Sequence, residues 1–233
     1  MHSMEMTKTV LVIGASRGLG LALAEEYCRR GYQVIATVRK PSEALIRLQQ
    51  AYPGTLEIED NVDIVQLHEV RSLQQRLHAR TLDVLFVNAG ISRATEQTPL
   101  QVEEQDYWEM LLTNALSPMR VIELFHAQVT QQGVIAVMSS ELGSITQSTG
   151  FWELYSSSKA ALNMLMKAFA ARHPHDPRAL LLIAPGWVRT DMGTADAVLD
   201  VSESIPRVVD VVTQNEGKPG LRYMDRFGEI LPW

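Results

Sequence analysis

One cysteine, Cys28, occurs in 233 residues, so no intramolecular disulfide can form. That fits a reducing compartment, most simply the cytoplasm. Positive charge is not in excess: the net charge is −6 and the pI is near 5.5. A general binder of nucleic acid or of anionic membranes would need the opposite balance. No apolar run approaches the ~20 residues that span a bilayer. The opening MHSMEMTK is too short and polar for a signal peptide, and residues 1–6 read as a disordered tail. The six histidines show no ligand spacing, and His173-Pro174-His175 reads as a solvated loop, so no metal is expected. Repeats, linkers and low-complexity blocks are absent.

What the chain does have is alternation. Short apolar runs alternate with longer amphipathic ones, the pattern of βαβ units around a parallel sheet. Strands are expected at Thr9–Ile13, Gln33–Val38, Leu56–Asp60, Val84–Asn88, Val134–Ser139, Ala179–Ala184 and Leu221–Met224. Their apolar character suits a sheet covered on both faces. Helices are expected at Leu19–Arg30, Ser42–Ala51, Ile64–Ala79, Val102–Thr130 (interrupted near Pro118), Trp152–Arg172 and Val201–Gln214. Gly31, Gly133 and the Pro174/Pro177 pair sit where helices should stop. Short connections and 46% hydrophobic residues predict one doubly wound α/β domain over residues 1–233.

Between the first strand and the first helix lies Gly14-Ala15-Ser16-Arg17-Gly18-Leu19-Gly20. Gly14 permits a tight turn, Gly18 a close approach of pyrophosphate to backbone, and Gly20 close packing of helix on sheet. The helix N-terminus supplies N–H groups and positive potential for phosphate. The spacing is G-x-x-x-G-x-G rather than G-x-G-x-x-G, and alone it is a weak signal, the competing reading being a structural βα turn. An acid ending the second strand would bond a ribose 2′-hydroxyl, as in NAD sites. Here the strand ends Ala36-Thr37-Val38-Arg39-Lys40. Arg39, with Arg17 in the glycine turn, could grip a 2′-phosphate, which favours NADP(H); the bland reading makes both solvated cations.

Tyr155 and Lys159 stand four apart in LYSSSKAAL, a spacing that shares one helix face. An ammonium beside a phenol would draw its pKa down from about 10, giving a proton donor usable near neutral pH. Together, a phosphate cradle and a tunable phenol point to hydride chemistry on a nicotinamide cofactor.

Taken in order, Gly14–Gly20, Asn88-Ala89-Gly90, Asn114, Ser139-Ser140, Tyr155-x-x-x-Lys159 and Pro185-Gly186-Trp187-Val188-Arg189-Thr190 resemble the short-chain dehydrogenase/reductase family over essentially the whole chain. SSELGSITQS, KAALNM and FGEILPW are most similar to its C-factor and sniffer-like carbonyl reductase branch. The resemblance implies a single Rossmann-type domain with a mainly parallel seven-stranded sheet in the order 3-2-1-4-5-6-7. It implies that Tyr155 is the acid/base and that Lys159 lowers its pKa and bonds the nicotinamide ribose. Ser140 would hold the substrate oxygen, and Asn114 would anchor a water relaying protons to Lys159. Cofactor contacts would come from Gly14, Ser16, Arg17, Gly18, Leu19, Gly20, Arg39, Asn88, Ala89, Gly90, Tyr155, Lys159, Pro185, Gly186, Val188 and Thr190. Within Glu59-Asp60-Asn61-Val62-Asp63, Asp60 or Asn61 would meet the adenine amino group, with the Val62 backbone adjoining.

Ser140 lies fifteen residues before Tyr155, where the family often has thirteen; Ser139, Ser144 and Ser148 are its rivals. Trp152 and Trp187 either wall a substrate pocket or simply pack. The loop 191–201, with the segment 142–154, would shape that pocket. Small carbonyl or alcohol substrates, no nucleic acid, no membrane, and a homodimer or homotetramer are expected. An NADP(H)-binding sensor on the same fold is the alternative. A sugar epimerase or dehydratase would need more than the forty or so residues after Thr190.

Overall fold

The computed structural model describes residues 7–193 and 195–233; the expected tail at 1–6 lies outside the described residues. Seven strands form one sheet: β1 Thr9–Ile13, β2 Gln33–Thr37, β3 Leu56–Glu59, β4 Leu82–Val87, β5 Val129–Met138, β6 Ala179–Ala184 and β7 Gly220–Asp225. Their order is β3-β2-β1-β4-β5-β6-β7, and all six pairings are parallel.

Alternate residues of each strand enter two separate cores. Val10, Val12, Val84, Phe86 and Leu181 pack on one face with helices α1 (Gly18–Arg29), α2 (Glu43–Ala51) and α7 (Val201–Gln214). Leu11, Ile13, Leu85, Val87 and Leu182 pack on the other with α3 (Leu67–Arg76), α5 (Ser117–Phe125) and α6 (Glu153–Arg172). Every residue of β6 is buried. This double burial is why the strands read as continuous apolar runs. Two helix starts follow their sequence signals. Ser42 caps α2 by accepting from the Leu45 N–H, and Asp200 with Glu203 forms a capping box on α7.

The stretch from Val102 to Met138 departs from expectation. Helix α4 (Glu104–Leu111) runs into a π-turn, Leu112–Leu116, then α5 and a short 3₁₀ turn, His126–Gln128; β5 begins at once. The break therefore falls before Pro118, which sits in the first turn of α5. Having no N–H, Pro118 cannot give the α-helical bond to the Asn114 carbonyl four residues back. Gly133 does not end a helix. It lies inside β5, beside the register shift between Leu82 and Val84, where an added Cβ would sit 2.7 Å from the Asp83 carbonyl. A side chain there would clash with the neighbouring strand, so the bulge requires glycine.

Candidate active site

A cavity of about 1030 Å³ opens at the carboxyl ends of the strands. At one end it is lined by Gly14, Ser16, Arg17, Gly18 and Leu19, with Val38 and Arg39 beyond. Gly14 takes φ +88°, and a Cβ on it would come within 2.8 Å of the Ala89 Cβ. At Gly20 a Cβ would lie 1.9 Å from the Gly14 carbonyl oxygen, so α1 could not approach the turn. Asn88 braces this cradle: its Nδ2 donates to the Gly14 carbonyl at 2.9 Å. Among the described residues no side chain caps the start of α1, and its first turn carries no acid. Its N–H groups thus face the cavity end without a built-in anion, an arrangement that accommodates phosphate.

At the other end α6 delivers Tyr155 and Lys159, both buried, and the end of β5 delivers Ser140. Ser140 caps the short turn Glu141–Gly143, its Oγ accepting from the Leu142 N–H at 3.2 Å. Burial pushes the Tyr155 phenol above its ordinary 10.0; hydrogen bonding with Ser140 draws it back, and Tyr223 adds to the rise. Burial brings the Lys159 ammonium down to about 8. Its Nζ donates to the Met138 carbonyl at 3.0 Å and lies 5.7 Å from the centre of the Tyr155 ring.

Asn114 is fully buried at the middle of the π-turn. Its Oδ1 accepts from the Ile91 N–H at 2.8 Å, and its Nδ2 donates to the Ile91 carbonyl and to Ser158 Oγ. It ties the loop after β4 to α6, directly behind Lys159. The serines of YSSSK are all structural donors: Ser156, Ser157 and Ser158 bond the carbonyls of Phe151, Leu154 and Tyr155.

Residues 8–197 match the family described as short chain dehydrogenase. The chain belongs to the short-chain dehydrogenase/reductase family. A family member from Burkholderia multivorans, crystallised with bound NADP, is 47% identical and superposes with a TM-score of 0.95, covering 97% of this chain and 100% of that one. A carbonyl reductase from Pseudomonas aeruginosa PAO1 in complex with NADP is 36% identical, with a TM-score of 0.91 and the same coverage. Carbonyl reductase Sniffer of D. melanogaster is 26% identical, with a TM-score of 0.86, again covering 97% and 100%.

Within this dehydrogenase fold, most of the expected site residues converge on the cavity. Asn88, Ala89, Gly90, Pro185, Gly186, Val188 and Thr190 line it, and Thr190 Oγ1 accepts from the Gly193 N–H at 3.0 Å. Gly20 and Asn114 act from behind the wall rather than in it.

One expectation needs correction. Asp60 and Asn61 do not line the cavity; Val62 and Asp63 do. Asn61 takes a left-handed turn, φ +53°, and its amide donates to the Asp60 carboxylate at 2.9 Å. That turn carries both side chains out of the wall and brings the next two residues in. Asp63 was one step further along the same acidic run, and only the turn fixes that register. The Lys159 ammonium bonds the Met138 carbonyl, and hydrogen bonding with Ser140 works against the burial that raises the Tyr155 phenol.

Among the rival serines, Ser139 lines the cavity but donates its hydroxyl to Asn163 at 2.7 Å. Ser144 and Ser148 lie outside the lining. Four arginines line it: Arg17, Arg39, Arg93 and Arg189. Arg17 pairs with Asp191, Arg93 with Asp106 and Glu109, and Arg189 with Asp200. Among the described residues, Arg39 alone of the four has no ion pair, so its guanidinium is unclaimed by the protein. Among the same residues no His, Cys, Asp or Glu cluster could hold a metal, and no helix is long and apolar enough to cross a membrane.

The buried lysine should leave a signature in stability. Unfolded, it titrates near 10.5; folded, near 8. Between those values the unfolded chain holds the extra proton, so stability rises with pH. Between about pH 7.5 and pH 9.5 the buried Cys28 thiol, raised by burial to about 11, contributes with the opposite sign, so the readout is the comparison: in urea unfolding the parent should gain about 2 kcal/mol more than Lys159→Met.

Proposed function

We propose that this chain is an NADP(H)-dependent oxidoreductase interconverting a ketone or aldehyde and its alcohol. The observation that carries this reading is the joint placement of the Tyr155–Ser140 pair and the unpaired Arg39 at opposite ends of one cavity. The cradle at Gly14 and Gly20, the uncapped start of α1 and Arg39 suit a dinucleotide with a 2′-phosphate, and the Burkholderia and Pseudomonas relatives hold NADP. When bound, NADP(H) supplies or accepts the hydride.

The chain's own residues handle the proton. In reduction, the Tyr155 hydroxyl gives its proton to the substrate oxygen, and the Ser140 hydroxyl bonds that oxygen as negative charge develops. A positive charge arriving beside the buried phenol would stabilise its phenolate and offset the effect of burial. Lys159 holds a proton in reserve behind it, and its burial makes that proton easier to release. The Asn114 carbonyl, denied its α-helical donor by Pro118, is a natural acceptor for a water linking Lys159 to solvent. The loop 191–201 and the segment 142–154 shape the substrate. Trp108, Met164 and Leu165 are exposed on α4 and α6, which suits a homo-oligomer.

The test is NADPH consumption by purified protein against aldehydes, ketones, diketones and quinones, with NADH in parallel. Carbonyl-dependent oxidation preferring NADPH is expected. Tight NADPH binding with no turnover on any carbonyl would overturn the enzyme reading in favour of a cofactor sensor.

A further inference from the structure

The substrate half of the cavity is walled by aromatic rings that proton and hydride transfer do not require. Phe151, Trp152 and Trp187 line it beside Tyr155. Phe151 and Trp152 stack, with centroids 5.0 Å apart and planes 16° apart. Trp187 stands edge-on to Phe151 at 6.1 Å and to Trp152 at 6.4 Å. Trp152 in turn meets the Tyr155 ring edge-on at 6.0 Å. These are the favoured geometries for ring pairs. Phe151 stays 44% exposed and Trp187 38% exposed, so ring surface remains for a ligand.

The wall is held rather than loosely packed. Trp152 takes φ +47°, ψ +50°, a left-handed backbone that a bulky side chain rarely adopts and that persists only when its surroundings impose it. Ser156 supplies part of that constraint. Its N–H donates to the Trp152 carbonyl at 2.8 Å and its hydroxyl to the Phe151 carbonyl at 2.9 Å. Glu96 adds to it: its Oε1 accepts the Trp152 indole N–H at 2.9 Å. The Trp187 indole N–H donates to the Gly193 carbonyl at 2.7 Å. With both indole donors engaged, the rings offer π surface and no hydrogen bond. Arg93 on this side is held by two carboxylates among the described residues, which disfavours an anionic substrate.

We propose that Phe151, Trp152 and Trp187 form an aromatic clamp that selects uncharged carbonyl compounds carrying a planar aryl group, and that Glu96 is its positioning residue. The proposal rests on the carbonyl oxidoreductase reading above and names its substrate class. A flat aryl face can stack on these rings, whereas a saturated ring of the same size is too thick to do so.

The test compares kcat/KM for acetophenone and cyclohexyl methyl ketone, which share one carbon skeleton. Conjugation alters the intrinsic reactivity of the aryl ketone, so the readout is the change in the aryl-to-cyclohexyl ratio on mutation. Trp152→Ala should lower that ratio roughly tenfold. Phe151→Leu, at a half-exposed side chain with little bearing on folding, should lower it in the same direction. Glu96→Ala should lower it about threefold, and Glu96→Gln, which keeps an acceptor oxygen, should restore it. Equal losses on both ketones in Trp152→Ala and Phe151→Leu overturn the clamp and leave the reductase standing. Absence of turnover on every carbonyl overturns the reductase, and the clamp is then decided by tryptophan fluorescence. Quenching by acetophenone that weakens in Phe151→Ala supports it; no quenching overturns it.

Discussion

Tyr155→Phe should bind NADPH as the parent protein does and lose on the order of 10²–10⁴ in kcat. The substitution removes one oxygen and leaves the ring, so the packing of α6 against Trp152 is kept. What disappears is the only hydroxyl that α6 presents beside Ser140 at this end of the cavity. Ser140 can still bond a substrate oxygen, but it has no buried lysine behind it to return its proton. The loss should therefore fall on kcat more than on KM. The check is steady-state kinetics alongside an NADPH fluorescence titration. Near-parental turnover with intact cofactor binding would remove Tyr155 from the chemistry. A parallel loss of cofactor affinity would instead mean that the residue shapes the cavity.

Arg39→Ala should raise the NADPH KM by about 10–100-fold, the range for losing one charged hydrogen-bonding partner. The NADH KM should move by less than about twofold, because only the 2′-phosphate distinguishes the two cofactors. The structure sharpens the contrast with Arg17. Arg17 already pairs with Asp191, so its replacement should cost less for NADPH, while Arg39 has no ion-pair partner to give up among the described residues. Kinetics with both cofactors would decide. Equal losses for NADPH and NADH would place Arg39 in general architecture rather than phosphate recognition.

How much of this was legible beforehand follows from how local each signal is. Strands β1 and β6 and helix α7 stand at the expected residues, because the apolar run or the amphipathic period and its cap lie within a few positions. The glycine turn was readable for the same reason. The long stretch after Val102 was legible only in part. The interruption near Pro118 could be read, but Gly133 looked like a helix stop, and only the neighbouring strand shows that it must abut Asp83 inside a bulge. Glu96 gave no signal at all, since an exposed loop acid looks like any other until an indole N–H is found on it.

The sequence by itself determined the parallel doubly wound sheet, the phosphate cradle and the Tyr155–Lys159 pair. Burial patterns, turn residues and helix spacing are properties of contiguous segments. Only the tertiary structure decided which charges are spoken for and which way the ionisable groups shift. Arg17 meets Asp191 across 174 positions and Trp152 meets Glu96 across 56. Lys159 is buried against a carbonyl of β5 instead of reaching the phenol. Pairing and desolvation act through space at a few ångströms, and no spacing along the chain encodes that distance.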